Sequence, residues 1–201
     1  MVTAVEATVG PVDVSLSDAE WELVHELRLR GLMAIDDGRC TRLVEIEVVV
    51  QRGRMVTLSP AGRELHAAWA RYDDDTEPRS AAQRLFDEFE ELNQELLAVC
   101  SAWQVRPGGV PNDHGDAKYD WDVIGRLERL HERAAPRIRR VARSAGRFAD
   151  YDRRLRHALR KVIDDGETDW FTSPRLDSYH TVWNQMHEDL LLALGIPRTT
   201  T

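Results

Sequence analysis

The sequence predicts a mainly α-helical protein of two domains: a small mixed domain with a short β-hairpin over residues 1–75, then a four- or five-helix bundle over 76–201. Three observations lead there. Beyond Ser80, apolar residues recur at helical spacing in long stripes, whereas Val44 to Gln51 shows the two-residue alternation of a strand. Between the two regions the run Asp73, Asp74, Asp75, Thr76, Glu77 and Pro78 breaks the apolar pattern. A length of 201 residues agrees, since domains commonly run about 100 to 150 residues. With 42% hydrophobic and 31% charged residues, the chain has the apolar surface needed to build a core.

The elements follow in order. Ser17 and Glu20 have the spacing of a capping box, with Leu16 and Trp21 placed as a hydrophobic staple, so a helix starts there. Leu23, Val24 and Leu27 continue its apolar stripe to about Arg30, and Gly31 is a natural stop. Val44, Ile46, Val48 and Val50 alternate with Glu45, Glu47, Val49 and Gln51, and β-branched richness favours a half-buried strand. Arg52 and Gly53 make a turn into Arg54 to Leu58. Ser59 can cap the next helix, with Pro60 in its first turn, to about Arg71.

In the second half, one stripe comprises Leu85, Phe89, Leu92, Leu96, Val99 and Trp103, and a second comprises Phe148, Tyr151, Leu155, Ala158 and Val162. Leu176, Tyr179, Trp183, Met186, Leu190 and Leu194 form another, on a helix started by Ser173 and Pro174 and ended by Gly195 and Pro197. A further helix is expected from about Trp121 to His131. Such stripes satisfy one another in a bundle.

Composition also excludes. Met1 to Gly10 carry neither a basic region nor the apolar run of a signal peptide, and no stretch approaches the roughly 20 apolar residues of a membrane span. A cytoplasmic protein with no membrane association is expected. Cys40 and Cys100 stand far apart with no CxxC, which argues for reduced thiols over a zinc ribbon or disulfide framework. Thr199 to Thr201 is a short low-complexity tail. No GxSxG, Walker A, GxGxxG or Cys/His signature is present, so neither an enzyme nor a cofactor is expected.

Charge is unevenly spread. Residues 1–75 hold 8 Lys+Arg against 14 Asp+Glu, a net of -6, and 76–201 hold 19 against 21, a net of -2. Residues 133–161 concentrate 11 Lys+Arg against Asp150 and Asp152 alone. Arg137, Arg139, Arg140, Arg143 and Arg147 of this run are candidates for a basic surface facing phosphates. The competing use is pairing with the acidic helix of Asp87, Glu88, Glu90, Glu91 and Glu95, and that use is favoured.

His180 and His187 share a helix face, but the zincin spacing would need a His where Leu191 stands, so no metal is expected. Asn112, Asp113, His114, Asp116, Tyr119 and Asp120 crowd a Gly- and Pro-containing loop. Densely packed polar groups of this kind either cap helices and tie the loop down or line a ligand pocket. For the pocket, the candidates are His114, Asp116 and Tyr119 with Tyr179, His180, Trp183 and His187.

Gly53-Arg54-Met55-Val56-Thr57-Leu58-Ser59-Pro60-Ala61-Gly62-Arg63, after the capped helix at Ser17, resembles the strand-to-helix passage of winged-helix regulators of the MarR and PadR type. Trp103 to Arg106, Asn112 to His114, Tyr119-Asp120, Asp177 to Trp183 and His187 to Leu191 resemble the C-terminal helical region of actinobacterial proteins described as such regulators. The resemblance implies a DNA-binding transcriptional regulator whose helical domain binds a small-molecule effector or protein partner. A homodimer on adjacent half-sites fits that class. Arg42, Arg52 and Arg54 are then the candidate DNA contacts. The chain departs from the pattern between Gly31 and Arg52, where two helices and a turn need roughly 22 to 25 residues and only Leu32 to Gln51 intervene. Residues 43–51 are either a shortened recognition helix or a strand. The alternative function is a non-enzymatic binding or scaffold module with a degenerate winged helix.

Overall fold

The computed structural model describes residues 15–35 and 38–197. Met1 to Gly10 and Thr199 to Thr201, read above from sequence, lie outside the described residues. The chain is mainly helical with a small antiparallel sheet, and it divides into two compact units, Met1–His66 and Ala67–Thr201.

The first unit opens with α1 (Asp18–Arg30), whose capping box is complete: the Glu20 carboxylate accepts from the Ser17 N–H at 2.8 Å while Ser17 Oγ accepts from the Glu20 N–H. Gly31, at φ +76°, ends it by donating its N–H to the Leu27 carbonyl. Then come β1 (Met33–Ala34), α2 (Thr41–Glu45), β2 (Val49–Arg52), β3 (Met55–Leu58) and α3 (Pro60–Ala70). The strands form one antiparallel sheet in the order β1-β3-β2, with Met33 opposite Val56 and Val49 opposite Leu58. Val24 and Leu27 of α1, Leu43 of α2, and Val49, Val56 and Leu58 of the sheet close the core.

Residues 43–51, open between helix and strand in the sequence, split between the two. The helix runs only to Glu45, and β2 begins only at Val49. Glu47 takes the left-handed φ of +60°, its N–H reaching the Val44 carbonyl, and the Val48 N–H reaches the Leu43 carbonyl at 2.9 Å. This pair of bonds is a Schellman closure, which satisfies the last helical carbonyls and turns the chain. The alternation of Val44, Ile46, Val48 and Val50 that favoured a strand therefore spans a helix end, where Val48 is buried beside Leu43 in the core.

That turn also receives α3. The Val48 carbonyl accepts from the Ser59 N–H at 3.0 Å, the Glu47 carbonyl accepts from Ser59 Oγ at 2.6 Å, and Ser59 Oγ accepts from the Gly62 N–H at 2.8 Å. Ser59 thus caps α3 as its sequence position predicts, while fastening it to the turn before β2.

The second unit is built on α4 (Glu77–Gln104), capped by Thr76, and α5 (Ala117–Ser144), joined by the hairpin of β4 (Val105–Arg106) and β5 (Val110–Pro111). A single 3-10 turn, Gly146–Phe148, leads to α6 (Tyr151–Ile163), the one-turn α7 (Asp169–Thr172) and α8 (Tyr179–Leu194). The helix expected over Trp121 to His131 is far longer, its outer face of Arg and Glu having hidden its extent. Pro136 sits inside it on the exposed side, away from the core. Phe148 belongs to the 3-10 turn and not to the helix of Tyr151. The last helix starts at Ser178, whose Oγ accepts from the Thr181 N–H, so Leu176 lies before it and not on its stripe.

α8 is the central element. It packs against α4, α6 and α7, and it buries Tyr179, Val182, Trp183, Met186, Leu190 and Leu194. Leu85, Phe89, Leu92, Leu96, Val99 and Trp103 of α4 are all buried, as their spacing predicts.

Candidate functional site

The residues singled out by sequence fall into three places. In the first unit, Arg52 ends β2 and Arg54 follows Gly53, whose φ of +61° permits the two-residue turn to Met55. Both arginines are exposed, and the Arg54 carbonyl accepts from the Ile35 N–H at 2.9 Å. The outward face of the same sheet carries Val50 and Met55, both exposed, and Leu32 just before β1 is exposed as well.

Arg42 behaves differently. Its guanidinium meets Glu20 Oε1 at 2.6 Å and the Ser15 carbonyl at 3.0 Å, while its side chain stays 50% exposed. Hydrogen bonds from the Ser17 backbone, then from Arg42 and the Ser17 hydroxyl, hold the Glu20 carboxyl down to about 2. Glu20 therefore serves the α1 cap and Arg42 at once.

In the second unit, the basic run is largely turned onto acids. Arg133 pairs with Glu95, Arg137 and Arg140 with Glu88, Arg139 and Arg156 with Asp152, and Arg154 with Asp177. The pairs of Arg133, Arg137 and Arg140 tie α5 to α4 and that of Arg139 ties α5 to α6, while Arg156 pairs within α6 and Arg154 links α6 to the segment before α8. The exposed pairs among them, those of Glu88 and Glu95, each contribute little, about 0 to 1 kcal/mol, so they orient helices more than they stabilise them. Among the described residues of the run, Arg143 and Arg160 are exposed and make no ion pair.

Arg147 does not belong to that surface. It turns inward, 13% exposed, with Nε 3.1 Å from Oδ1 of Asp189, which is fully buried. Its Nη1 donates to the Ala70 carbonyl at 2.7 Å, and its guanidinium lies 4.6 Å over the Tyr72 ring. Tyr151 donates its hydroxyl to Asp189 Oδ2 at 3.2 Å, and burial, followed by the neighbouring Asp189 charge, pushes the Tyr151 phenol well up. The one local signal was an acid within the apolar stripe of α8.

The seven pocket candidates are divided. His114, Asp116 and Tyr119 gather at the β4–β5 hairpin and the start of α5. Asp116 caps α5 through the Tyr119 N–H at 3.1 Å and pairs with Arg106 at 2.7 Å, and these bonds lower its pKa, the Tyr119 backbone first. His114, at φ +59°, meets Asp120 Oδ2 at 3.0 Å and packs on Trp103, which stacks on Phe171. Asn112 binds the Trp103 carbonyl and Asp120, and Tyr119 donates to the Ala102 carbonyl at 2.9 Å. Each polar group here ties the hairpin to the helix ends.

Tyr179, His180, Trp183 and His187 lie on α8 with other partners. The Tyr179 hydroxyl meets His131 Nδ1 at 3.3 Å, and Trp183 Nε1 donates to Asn93 Oδ1 at 3.1 Å, both inside the core. Burial raises the Tyr179 phenol and lowers His131 and the half-buried His180. His180 meets Asn184 at 3.2 Å, whereas His187 packs against the Phe89 ring at 4.7 Å. Among the described residues no three His, Cys, Asp or Glu side chains stand where they could hold a metal ion. Among them, too, no helix is long and apolar enough to cross a membrane.

No protein-family model, curated protein or solved structure matches the chain.

Proposed function

We propose that the protein is a DNA-binding regulator of winged-helix type whose β2–β3 hairpin is the DNA contact and whose helical unit takes up an effector or protein partner. The observation that carries this reading is the hairpin tip, where Gly53 turns the chain within two residues and presents the exposed Arg52 and Arg54. The order α1-β1-α2-β2-β3, with the sheet order β1-β3-β2, supports it, as does the resemblance of the Gly53 to Arg63 segment to such regulators.

α2 does not serve as a recognition helix. Five residues rise only about 7.5 Å, too short to present several side chains along a groove. The contact is therefore to phosphates, which position a protein on DNA without reading its sequence. With two cations per hairpin, useful affinity requires a homodimer that doubles the contacts.

The test is a titration of a labelled DNA duplex at two salt concentrations. Replacing Arg52 and Arg54 with Ala is expected to lower the salt slope by about one unit per cation removed. If Arg139→Ala, Arg140→Ala and Arg143→Ala together abolish binding while the hairpin pair does not, the DNA surface is the helical unit. One observation favours a second reading, a non-enzymatic scaffold: Arg42 is already paired with Glu20 in a segment of net charge -6. Absence of binding by the wild type at low salt selects that reading.

A further inference from the structure

We propose that Arg42 is a third, latent phosphate contact of the first unit, held out of use by Glu20; the inference rests on the hairpin reading above. Arg42 is half exposed, so its guanidinium is within reach of an external anion, yet one face is engaged by Glu20 Oε1 at 2.6 Å and by the Ser15 carbonyl. Glu20 cannot leave easily. Its other oxygen accepts from the Ser17 N–H at 2.8 Å and from the Ser17 hydroxyl at 2.7 Å, so the carboxylate is fixed by the start of α1 before it meets Arg42.

A DNA phosphate and Glu20 therefore compete for the same donor. Ser17 holds Glu20 in place beside Arg42, so phosphate takes that donor only a fraction of the time, and the protein binds DNA with fewer cations than its sequence offers. Whatever draws Glu20 away from Arg42 raises DNA affinity without changing the hairpin.

The experiment compares wild type, Glu20→Gln, Glu20→Gln with Arg42→Ala, and Glu22→Gln on the same labelled duplex at two salt concentrations. Gln preserves the capping box, because that motif accepts Glu or Gln at its third helical position. Circular dichroism checks that each variant keeps its helix content. Glu22 is an exposed acid on the same helix and reports the effect of removing one negative charge anywhere on α1.

The expected result is a gain of roughly two- to fivefold in affinity for Glu20→Gln, with a salt slope steeper by about 0.9. Arg42→Ala in that background returns both to the wild-type values, and Glu22→Gln gives no steeper slope. If wild type binds and Glu20→Gln matches it or Glu22→Gln, the lock is refuted while the hairpin reading stands. If no variant binds at low salt, the hairpin reading falls and the inference falls with it.

Discussion

The carbonyl oxygen of Val48 stands 2.0 Å from the position a β-carbon on Gly62 would occupy. The first turn of α3 is thus pressed directly against the backbone of the Schellman turn, and the close approach needs a residue with no side chain. Gly62→Ala is expected to force that backbone apart at a cost of at least about 1 to 3 kcal/mol. A lowered denaturant midpoint with intact secondary structure would show it, and an unchanged midpoint would mean that α3 does not seat as described.

Glu47 supplies the opposite case, since it holds a left-handed conformation that glycine adopts freely. Left-handed backbone costs an L-residue roughly 1 to 2 kcal/mol, against about 0.5 to 1 kcal/mol of extra entropy lost by glycine. Glu47→Gly should therefore raise stability by about 0.5 to 1 kcal/mol. Thermal melting measures this. A loss of stability would put the turn in another conformation.

The buried pair of Asp189 and Arg147 predicts a larger effect. Removing one partner leaves an uncompensated charge in the core, which typically costs about 3 to 5 kcal/mol. Asp189→Ala should approach that value, while Asp189→Ala combined with Arg147→Met should recover part of it, because the charge left behind is then gone as well. A double mutant no more stable than the single one would argue against the pairing.

Acid should weaken the protein in two separate windows. Burial depresses His131 and His180 below their ordinary value near 6.5. As pH falls past that value the unfolded chain takes up protons that the folded chain refuses, so stability present in full above it is lost on the acid side. Melting temperatures should fall as pH drops below about 6.5, and His131→Gln should flatten that fall. Glu20 acts lower: held at about 2 against an ordinary 4.5, it contributes stability lost only as pH falls between those values. A His131→Gln variant with the wild-type pH profile would remove His131 from the first window.

What the sequence made legible was local chemistry. The ends of α1 were readable because Ser17, Glu20 and Gly31 act within one turn of themselves, and the buried stripe of α4 because each of its positions repeats the same period. The split at Ile46 to Val48 was hidden because a glutamate occupies the position where glycine usually marks a helix end. The length of α5 was hidden by its charged outer face, whose arginines are answered by acids on other helices. Arg147 and Asp189 meet across a long stretch of chain, and no spacing rule connects them. Tyr179 and Trp183, named for a pocket, also fit the pattern of a core stripe, and they are buried in the core.

The two cysteines give the chain a built-in pair of clocks. Cys40 is buried in the first compact unit and Cys100 in the second, where burial pushes its thiol up to about 12. A thiol in that state does not react as it stands, because the thiolate is the nucleophile. Modification must wait for the surrounding structure to open, so the rate at which each cysteine is labelled reports the opening of its own unit. Equal rates would mark a chain that opens as one body, and unequal rates would rank the two units by how often each lets solvent in, without a single engineered probe.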